Sequence, residues 1–170
     1  MPRTRCWALA LALVAGAAQA QLSTPDPDWK EVEAPPPAPL RLDRLDRLLR
    51  IEIPESTLRF GVDPASVVLT GDGIVRYVVV ATSSSGAVNA FYEGIRCTTA
   101  ETRLYARHNP DSGWVPVRDG MWRSLHEPRP SRHSLLIARN GACLGGAPNQ
   151  SATQIVRDLG RDADRRFNLN

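Results

Sequence analysis

Residues 75–107 carry three strand-like runs, which read Val75-Arg-Tyr-Val-Val-Val-Ala81, Ala87-Val-Asn-Ala-Phe-Tyr-Glu-Gly-Ile-Arg-Cys97 and Thr102-Arg-Leu-Tyr-Ala-Arg107. β-Branched and aromatic residues are abundant in these runs, and small polar residues separate them. This composition is typical of consecutive antiparallel strands. The first run is apolar apart from Arg76 and therefore predicts a central strand that is covered on both faces.

Shorter patterns on either side of these runs complete a single domain over residues 40–160. Leucines on one helical face over residues 40–49 lead into an alternating segment, which predicts a helical turn and a first strand. Near the other end, Ser151-Ala-Thr-Gln154 matches a capping box and Gly160 supplies a stop, so a short C-terminal helix is predicted. We therefore expect an α+β fold with a twisted antiparallel sheet of about five to seven strands.

The first 20 residues have the pattern of a secretory signal peptide. Arg3 and Arg5 precede a short apolar run, and Ala18-Gln-Ala20 is a small-x-small cleavage site. The apolar run is shorter than the roughly 20 residues that a membrane span requires. The sequence predicts cleavage after Ala20 and a periplasmic or secreted protein that does not span the membrane.

Two flanking segments lack the composition of a packed core. Residues 21–39 are rich in proline and predict an extended tether, in which Trp29 is the one residue expected to dock. Residues 161–170 are mostly charged or polar and predict a flexible tail.

Removal of the signal peptide changes the cysteine count and the net charge. Cys97 and Cys143 remain, and an even pair in an exported chain predicts one disulfide. Loss of Arg3 and Arg5 lowers the formal charge from +3 to about +1, which argues against a nucleic-acid partner.

Glu93 is out of place in the alternation of its strand. Period two puts it on the same face as the apolar Phe91. Either Gly94 marks a β-bulge that shifts the phase, which we prefer, or Glu93 is a structural carboxylate buried against an arginine such as Arg76 or Arg103.

The sequence contains no recognisable catalytic or metal-binding motif. His108, His126 and His133 are scattered without an i, i+4 pair, so neither a metal site nor a cofactor is expected. Ser83-Ser-Ser-Gly86 lacks the strand-to-helix elbow of a nucleophilic serine.

A basic, aromatic segment over residues 118–139 is the candidate binding surface. It contains five arginines, and the side chains that we expect to contact a ligand are Trp122, Arg123, His126 and Arg132. Such a surface suits an anionic envelope component: a lipid headgroup, a glycan or an acidic protein face. The alternative, which the sequence favours over binding, is a solvated loop whose arginines pair with nearby acids.

Several motifs resemble those of the cryptic neisserial protein-like (CNP-one-like) family of small exported or lipid-anchored proteobacterial proteins. They are Phe60-x-Val-Asp-Pro-Ala-Ser66, Gly73-x-Val-Arg-Tyr77 and Tyr92-Glu-Gly-Ile-Arg-Cys97, followed by Tyr105 and Trp114. The resemblance implies no catalytic residues, and the chain lacks the lipid-attachment cysteine of the anchored members. A looser similarity to surface-adhesin E-type domains concerns the fold alone.

These features favour a non-enzymatic binding or structural module of the cell envelope. The alternative is a small periplasmic hydrolase that uses Glu93 with a histidine. A concave pocket in which Glu93 meets a histidine would favour the hydrolase.

Overall fold

A central antiparallel sheet organises the computed structural model, which describes residues 27–33, 36–127 and 132–161. The predicted signal peptide and residues 162–170 of the predicted tail lie outside the described residues. The predicted α+β fold is confirmed, with the sheet at its centre and a short helix near the C-terminus.

Within the described residues, eight strands form the main sheet and two more form a separate ribbon. The strands are β1 Leu49–Ile51, β2 Arg59–Val62, β3 Val68–Leu69, β4 Ile74–Thr82, β5 Val88–Arg96, β6 Glu101–Asn109, β7 Gly113–Pro116, β8 Arg123–Ser124, β9 Cys143–Leu144 and β10 Ala147–Pro148. The helices are α1 Arg132–Ile137 and α2 Ala152–Leu159, with 3₁₀ turns at Leu42–Arg47 and Pro64–Ser66 and a π turn at Ala138–Ala142.

The three long strands β4, β5 and β6 are the middle of the sheet, in the order β1-β2-β4-β5-β6-β7. Two short strands share each outer edge of this trio. β2 and β3 pair with successive parts of β4, and β7 and β8 pair with opposite ends of β6. Short strands therefore pair with the outer edges of β4 and β6.

Both faces of β4 are covered, as its apolar run predicts. Every residue from Ile74 to Ala81 is buried. On one face, Val75, Tyr77 and Val79 belong to an apolar cluster that includes residues of α1, the π turn and α2. On the opposite face, Val78 and Val80 pack near leucines of the segment that precedes β1.

The preferred explanation for Glu93, a bulge at Gly94, is wrong. β4 and β5 pair in unbroken register through Gly94, so Glu93 stays on the face of Phe91. The register shift lies between β5 and β6, where β6 passes Tyr105 without a partner. Gly94 is needed for space, because an added Cβ would lie 2.8 Å from the Tyr105 ring and 2.9 Å from Ile74.

The predicted disulfide is confirmed. Cys97 follows β5, Cys143 begins β9, and their Cα atoms are 5.7 Å apart. The bond therefore joins the end of a central strand to the chain that returns from α1 and the π turn.

The C-terminal helix begins and ends near the predicted residues. The Ser151 hydroxyl accepts a hydrogen bond from the Gln154 backbone N–H at 3.1 Å. The Gln154 side chain bonds to Asp158 instead, so only half of the capping box forms. None of the helices among the described residues is long and apolar enough to cross a membrane.

Candidate functional site

A cavity of about 460 Å³ lies between the sheet and α1. Alternate residues of β5 and β6 form its floor, α1 borders it, and residues 117–123 form another part of its wall. Its apolar lining residues are Leu58, Phe60, Ala81, Phe91, Leu104, Val117 and Met121. The volume falls in the range of natural small-molecule sites, which are usually apolar with a few placed polar groups.

Glu93 and His133 meet in the wall of this cavity. The His133 Nε2 atom lies 2.9 and 3.1 Å from the two carboxylate oxygens of Glu93. The Tyr77 hydroxyl donates to the same carboxylate at 3.1 Å, and the Ser134 hydroxyl donates at 2.9 Å. Glu93 is thus buried as the second explanation required, but its partners are a histidine and two hydroxyls rather than an arginine.

Aromatic rings hold the imidazole of His133 in place. The Phe60 ring stacks on it with a centroid distance of 5.2 Å and an interplanar angle of 13°. The Phe91 ring lies on it at 6.4 Å and 20°. Stacking fixes the ring plane, and the bond to Glu93 fixes which nitrogen points at the carboxylate.

Electrostatics keep Glu93 ionised. Burial raises the pKa of the Glu93 carboxyl, but the charge of His133 and hydrogen bonds from His133, Ser134 and Tyr77 outweigh it and lower the pKa. Burial and the nearby Glu93 charge raise the pKa of Tyr77, which therefore remains a hydrogen-bond donor. The wall consequently contains a fixed negative charge that is bonded to an imidazole.

This arrangement can position a hydrogen-bonding imidazole inside an apolar cavity. Because Nε2 is engaged by Glu93, Nδ1 is the ring nitrogen available to a bound molecule. Ser134 donates to Glu93 rather than to His133, so the serine and histidine do not form a nucleophile–base pair.

Charged side chains also line the cavity. Arg107 lies over the Phe91 ring at 5.4 Å and is exposed, as is Arg123. The Asp119 carboxylate and the Asn89 amide also line the cavity. The cavity therefore combines an apolar body with cationic, anionic and hydrogen-bonding groups.

Arg76, the other structural polar residue predicted, lies on the opposite face of the sheet. Its side chain is fully buried, and Nη2 contacts the Asp72 carboxylate at 2.9 Å. Burial alone would raise the pKa of Asp72, but hydrogen bonds from Arg76, Thr70 and two backbone N–H groups hold it well below its usual value. The tight hairpin after β3 thus supplies the counter-charge for a buried arginine.

The four predicted ligand-contacting residues do not converge. Arg123 lines the cavity, whereas Trp122 points to the other face and donates to Glu31 at 3.3 Å. His126 is exposed, and Arg132 lies 4.0 Å from Glu55 at the surface.

The sequence does not identify His133 or Glu31 as site residues. The hydrolase alternative expects a histidine beside Glu93 without specifying which of the three, and the one signal for His133 is its position before a short apolar segment that returns to Cys143. Glu31 lies in the proline-rich segment, where composition gave no sign of a contact.

The part of the chain that the structure describes contains no group of three or more residues placed to bind a metal ion. The chain matches no curated protein and no solved structure. A model of the CNP1-like family matches residues 24–160.

Proposed function

The chain belongs to the CNP1-like family, and from this premise we propose that it is a non-enzymatic cell-envelope protein that binds a small organic ligand in its cavity. The observation that carries the proposal is the mainly apolar cavity of about 460 Å³ with the Glu93–His133 pair in its wall. Sites of this kind bury most of a small ligand and orient it by a few polar contacts.

The lining indicates what the ligand resembles. Leu104, Met121, Phe60 and Phe91 suit a ligand with an apolar or aromatic body. The two exposed arginines and the imidazole of His133 suit one acidic or hydrogen-bond-accepting group. We therefore propose an amphipathic anion, such as an aromatic or aliphatic acid, as the ligand class.

The envelope location is part of the proposal and rests on two features. The basic start, the apolar run and the Ala18-Gln-Ala20 site favour export. The Cys97–Cys143 disulfide suits an oxidising compartment. Fractionation of the native host, with detection of the first residue of the purified protein, tests this location.

The ligand proposal is tested with 1-anilinonaphthalene-8-sulfonate, an apolar anion whose fluorescence rises on burial. We expect saturable binding at one site, and we expect the double variant Arg107→Ala, Arg123→Ala to bind about tenfold more weakly, a loss of about 1.4 kcal/mol. Arg157→Ala, an exposed arginine of α2, is the matched control and should bind as the unaltered protein does. The proposal would be contradicted if binding did not saturate, or if the two arginine substitutions left the affinity for the probe unchanged.

A hydrolase is the second candidate function, and the Glu93–His133 contact favours it. In this case Glu93 orients His133, and Nδ1 accepts a proton from a water that attacks the carbonyl carbon of a bound ester. The C–O bond to the alcohol then breaks, and Nδ1 returns the proton to the departing alcohol, which leaves a carboxylic acid. We rank the hydrolase below binding for two reasons. The Glu93 carboxylate already accepts hydrogen bonds from Tyr77 and Ser134, and no serine contacts His133 among the described cavity residues.

The two functions are separated by activity against p-nitrophenyl esters of acetate, butyrate and benzoate. The binding proposal expects the same rate from the unaltered protein and His133→Gln. A rate that falls at least a hundredfold in both His133→Gln and Glu93→Gln, with both variants folded, would establish the hydrolase instead.

A further inference from the structure

An N-terminal segment lies across the face of the sheet opposite the cavity, and we call its residues 29–32 the strap. The Trp29 Nε1 atom donates to the backbone carbonyl of Asp72 at 2.8 Å. The Arg96 guanidinium lies over the Trp29 ring at 3.7 Å, and the Trp122 ring meets it edge-on at 6.2 Å. Trp29 is therefore held by a cation on one side and an aromatic edge on another.

The carboxylate of Glu31 occupies a built anion site. Arg103 Nη1 and the Tyr105 hydroxyl each donate to it at 2.6 Å, one to each oxygen. Trp122 Nε1 donates at 3.3 Å, and Arg76 Nη2 lies 3.5 Å away. We call the side chains that receive the strap the arginine cradle: Arg76, Arg96, Arg103, Tyr105 and Trp122.

Hydrogen bonds that involve a side chain hold the strap on the domain. No backbone-to-backbone hydrogen bond joins residues 27–33 to the rest of the described chain. Instead, the Val32 backbone N–H donates to the Asp72 carboxylate at 2.9 Å, and its carbonyl accepts from Arg76 at 2.8 Å. Lys30 and the Val32 side chain are exposed, so specificity comes from Trp29 and Glu31.

Glu31 is the strap carboxylate that the arginines of the cradle contact. Arg103 and Arg76 lie against it, Arg76 also contacts Asp72, and the Arg96 guanidinium stacks on the Trp29 ring. The Nε–H groups of Arg76, Arg96 and Arg103 are buried and lack an acceptor among the described residues. Buried donors are normally paired, so the cradle can accept an occupant with more acceptor atoms than the strap offers.

We propose that the arginine cradle is a recognition site for extended acidic peptides that carry an aromatic residue two positions before a carboxylate. The strap is its built-in occupant, and an acidic segment of a partner protein displaces it. This site lies on the opposite face from the ligand cavity and does not depend on the function proposed there.

The test uses a labelled peptide that copies residues 27–33, Pro-Asp-Trp-Lys-Glu-Val-Glu. In the full chain with Trp29→Ala and Glu31→Gln, the tethered strap no longer competes, and fluorescence anisotropy should show saturable binding of the peptide. The unaltered chain should bind at least tenfold more weakly, because a tethered segment competes at an effective concentration of about 1 mM. Adding Arg103→Ala to the double variant should abolish binding.

The control is the same peptide with Glu31→Gln, which should bind at least tenfold more weakly than the parent peptide. Equal binding of the two peptides, or no binding to a folded double variant, would overturn the proposal. A double variant that does not fold would also overturn it, because the strap would then be an integral part of the domain.

Hydrogen exchange of the unaltered chain provides an independent measurement. The Val32 amide should be protected in the free protein, since it donates to Asp72. Saturating peptide should raise its exchange rate severalfold by displacing the strap, and an unchanged rate would count against a detachable strap.

Discussion

Arg76 is the largest fully buried side chain among the described residues, and it is a cation within a strand of valines. Taking such a group out of water is tolerated only when carboxylates and acceptors surround it. Asp72, Thr70, Glu31 and the Val32 carbonyl do so here. The sequence marked Arg76 as an exception in its strand, but its partners come from a tight hairpin and a segment more than 40 residues away.

Replacing Arg76 with Met should destabilise the protein by about 3–5 kcal/mol, because the buried Asp72 carboxylate loses its counter-charge. Urea unfolding measures the change in the free energy of unfolding. The matched control is Arg50→Met, whose side chain is 70% exposed beside Glu52 and should cost about 0–1 kcal/mol. A loss for Arg76→Met as small as that of the control would show that the pair contributes no net stability.

Glu93 makes the stability of the protein depend on pH in acid. Its pKa is lowered in the folded state, so the folded protein binds fewer protons than the unfolded chain. The stabilisation is present above the unfolded pKa of about 4.3 and is lost as the pH falls through the folded value.

The difference in the free energy of unfolding between the unaltered protein and Glu93→Gln should therefore be largest above about pH 5 and shrink below about pH 4. Urea titrations of both proteins across this range measure it. The comparison is needed because Asp72, whose pKa is also lowered, adds its own acid sensitivity to both proteins. A difference that stays constant with pH would mean that folding does not change the pKa of Glu93, and one that falls as the pH rises above about 4.3 would mean that Glu93 is protonated in the fold.

At the scale of elements, Gly94 and Tyr105 show what the sequence could and could not predict. The three long strands and the C-terminal helix follow from local patterns and form as predicted. The bulge was assigned to the wrong strand, because a glycine is a visible signal in sequence whereas an unpaired residue of β6 is set by register between strands. Local periodicity reports the face of a residue and not the partner across the sheet.

The substitution Gly94→Ala should cost about 1–3 kcal/mol, since the new methyl group would overlap the Tyr105 ring and Ile74. Thermal and urea unfolding measure the loss. Gly71→Ala is the control, because a Cβ there meets nothing within 4 Å, and it should change stability by less than about 0.5 kcal/mol. If both variants lose the same small amount of stability, close packing against Tyr105 and Ile74 does not explain the glycine at position 94.

At the scale of the whole molecule, one sheet separates two polar sites. The Glu93–His133 cavity lies on the face that α1 covers, and the arginine cradle lies on the face that the strap covers. Side chains alternate along β5, so Glu93 points to the cavity while Tyr92 and Arg96 lie on the cradle side. To predict this division, one must know which residues cover each face of the sheet. Local sequence does not supply that knowledge, because His133 and Glu31 are distant in sequence from the strands that they contact.

The disulfide ties the segment that returns from α1 and the π turn to the end of β5. It closes a loop with a sequence separation of 46 residues, for which chain entropy gives a stabilisation of about 4 kcal/mol. A protein of this size typically has a stability of about 5–15 kcal/mol, so the double variant Cys97→Ser, Cys143→Ser should unfold at a markedly lower temperature. Since α1 carries His133 and Ser134, the variant should also bind the naphthalene probe more weakly while it is still folded.

Melting curves of the unaltered protein with and without reductant provide the matched comparison, because reduction removes the same bond without changing a residue. The reduced protein and the double variant should melt within a few degrees of each other. If reductant leaves the melting temperature unchanged while mass spectrometry shows free thiols, the stability of the fold comes from the apolar contacts of α1 and α2 with the sheet, and the bond constrains little.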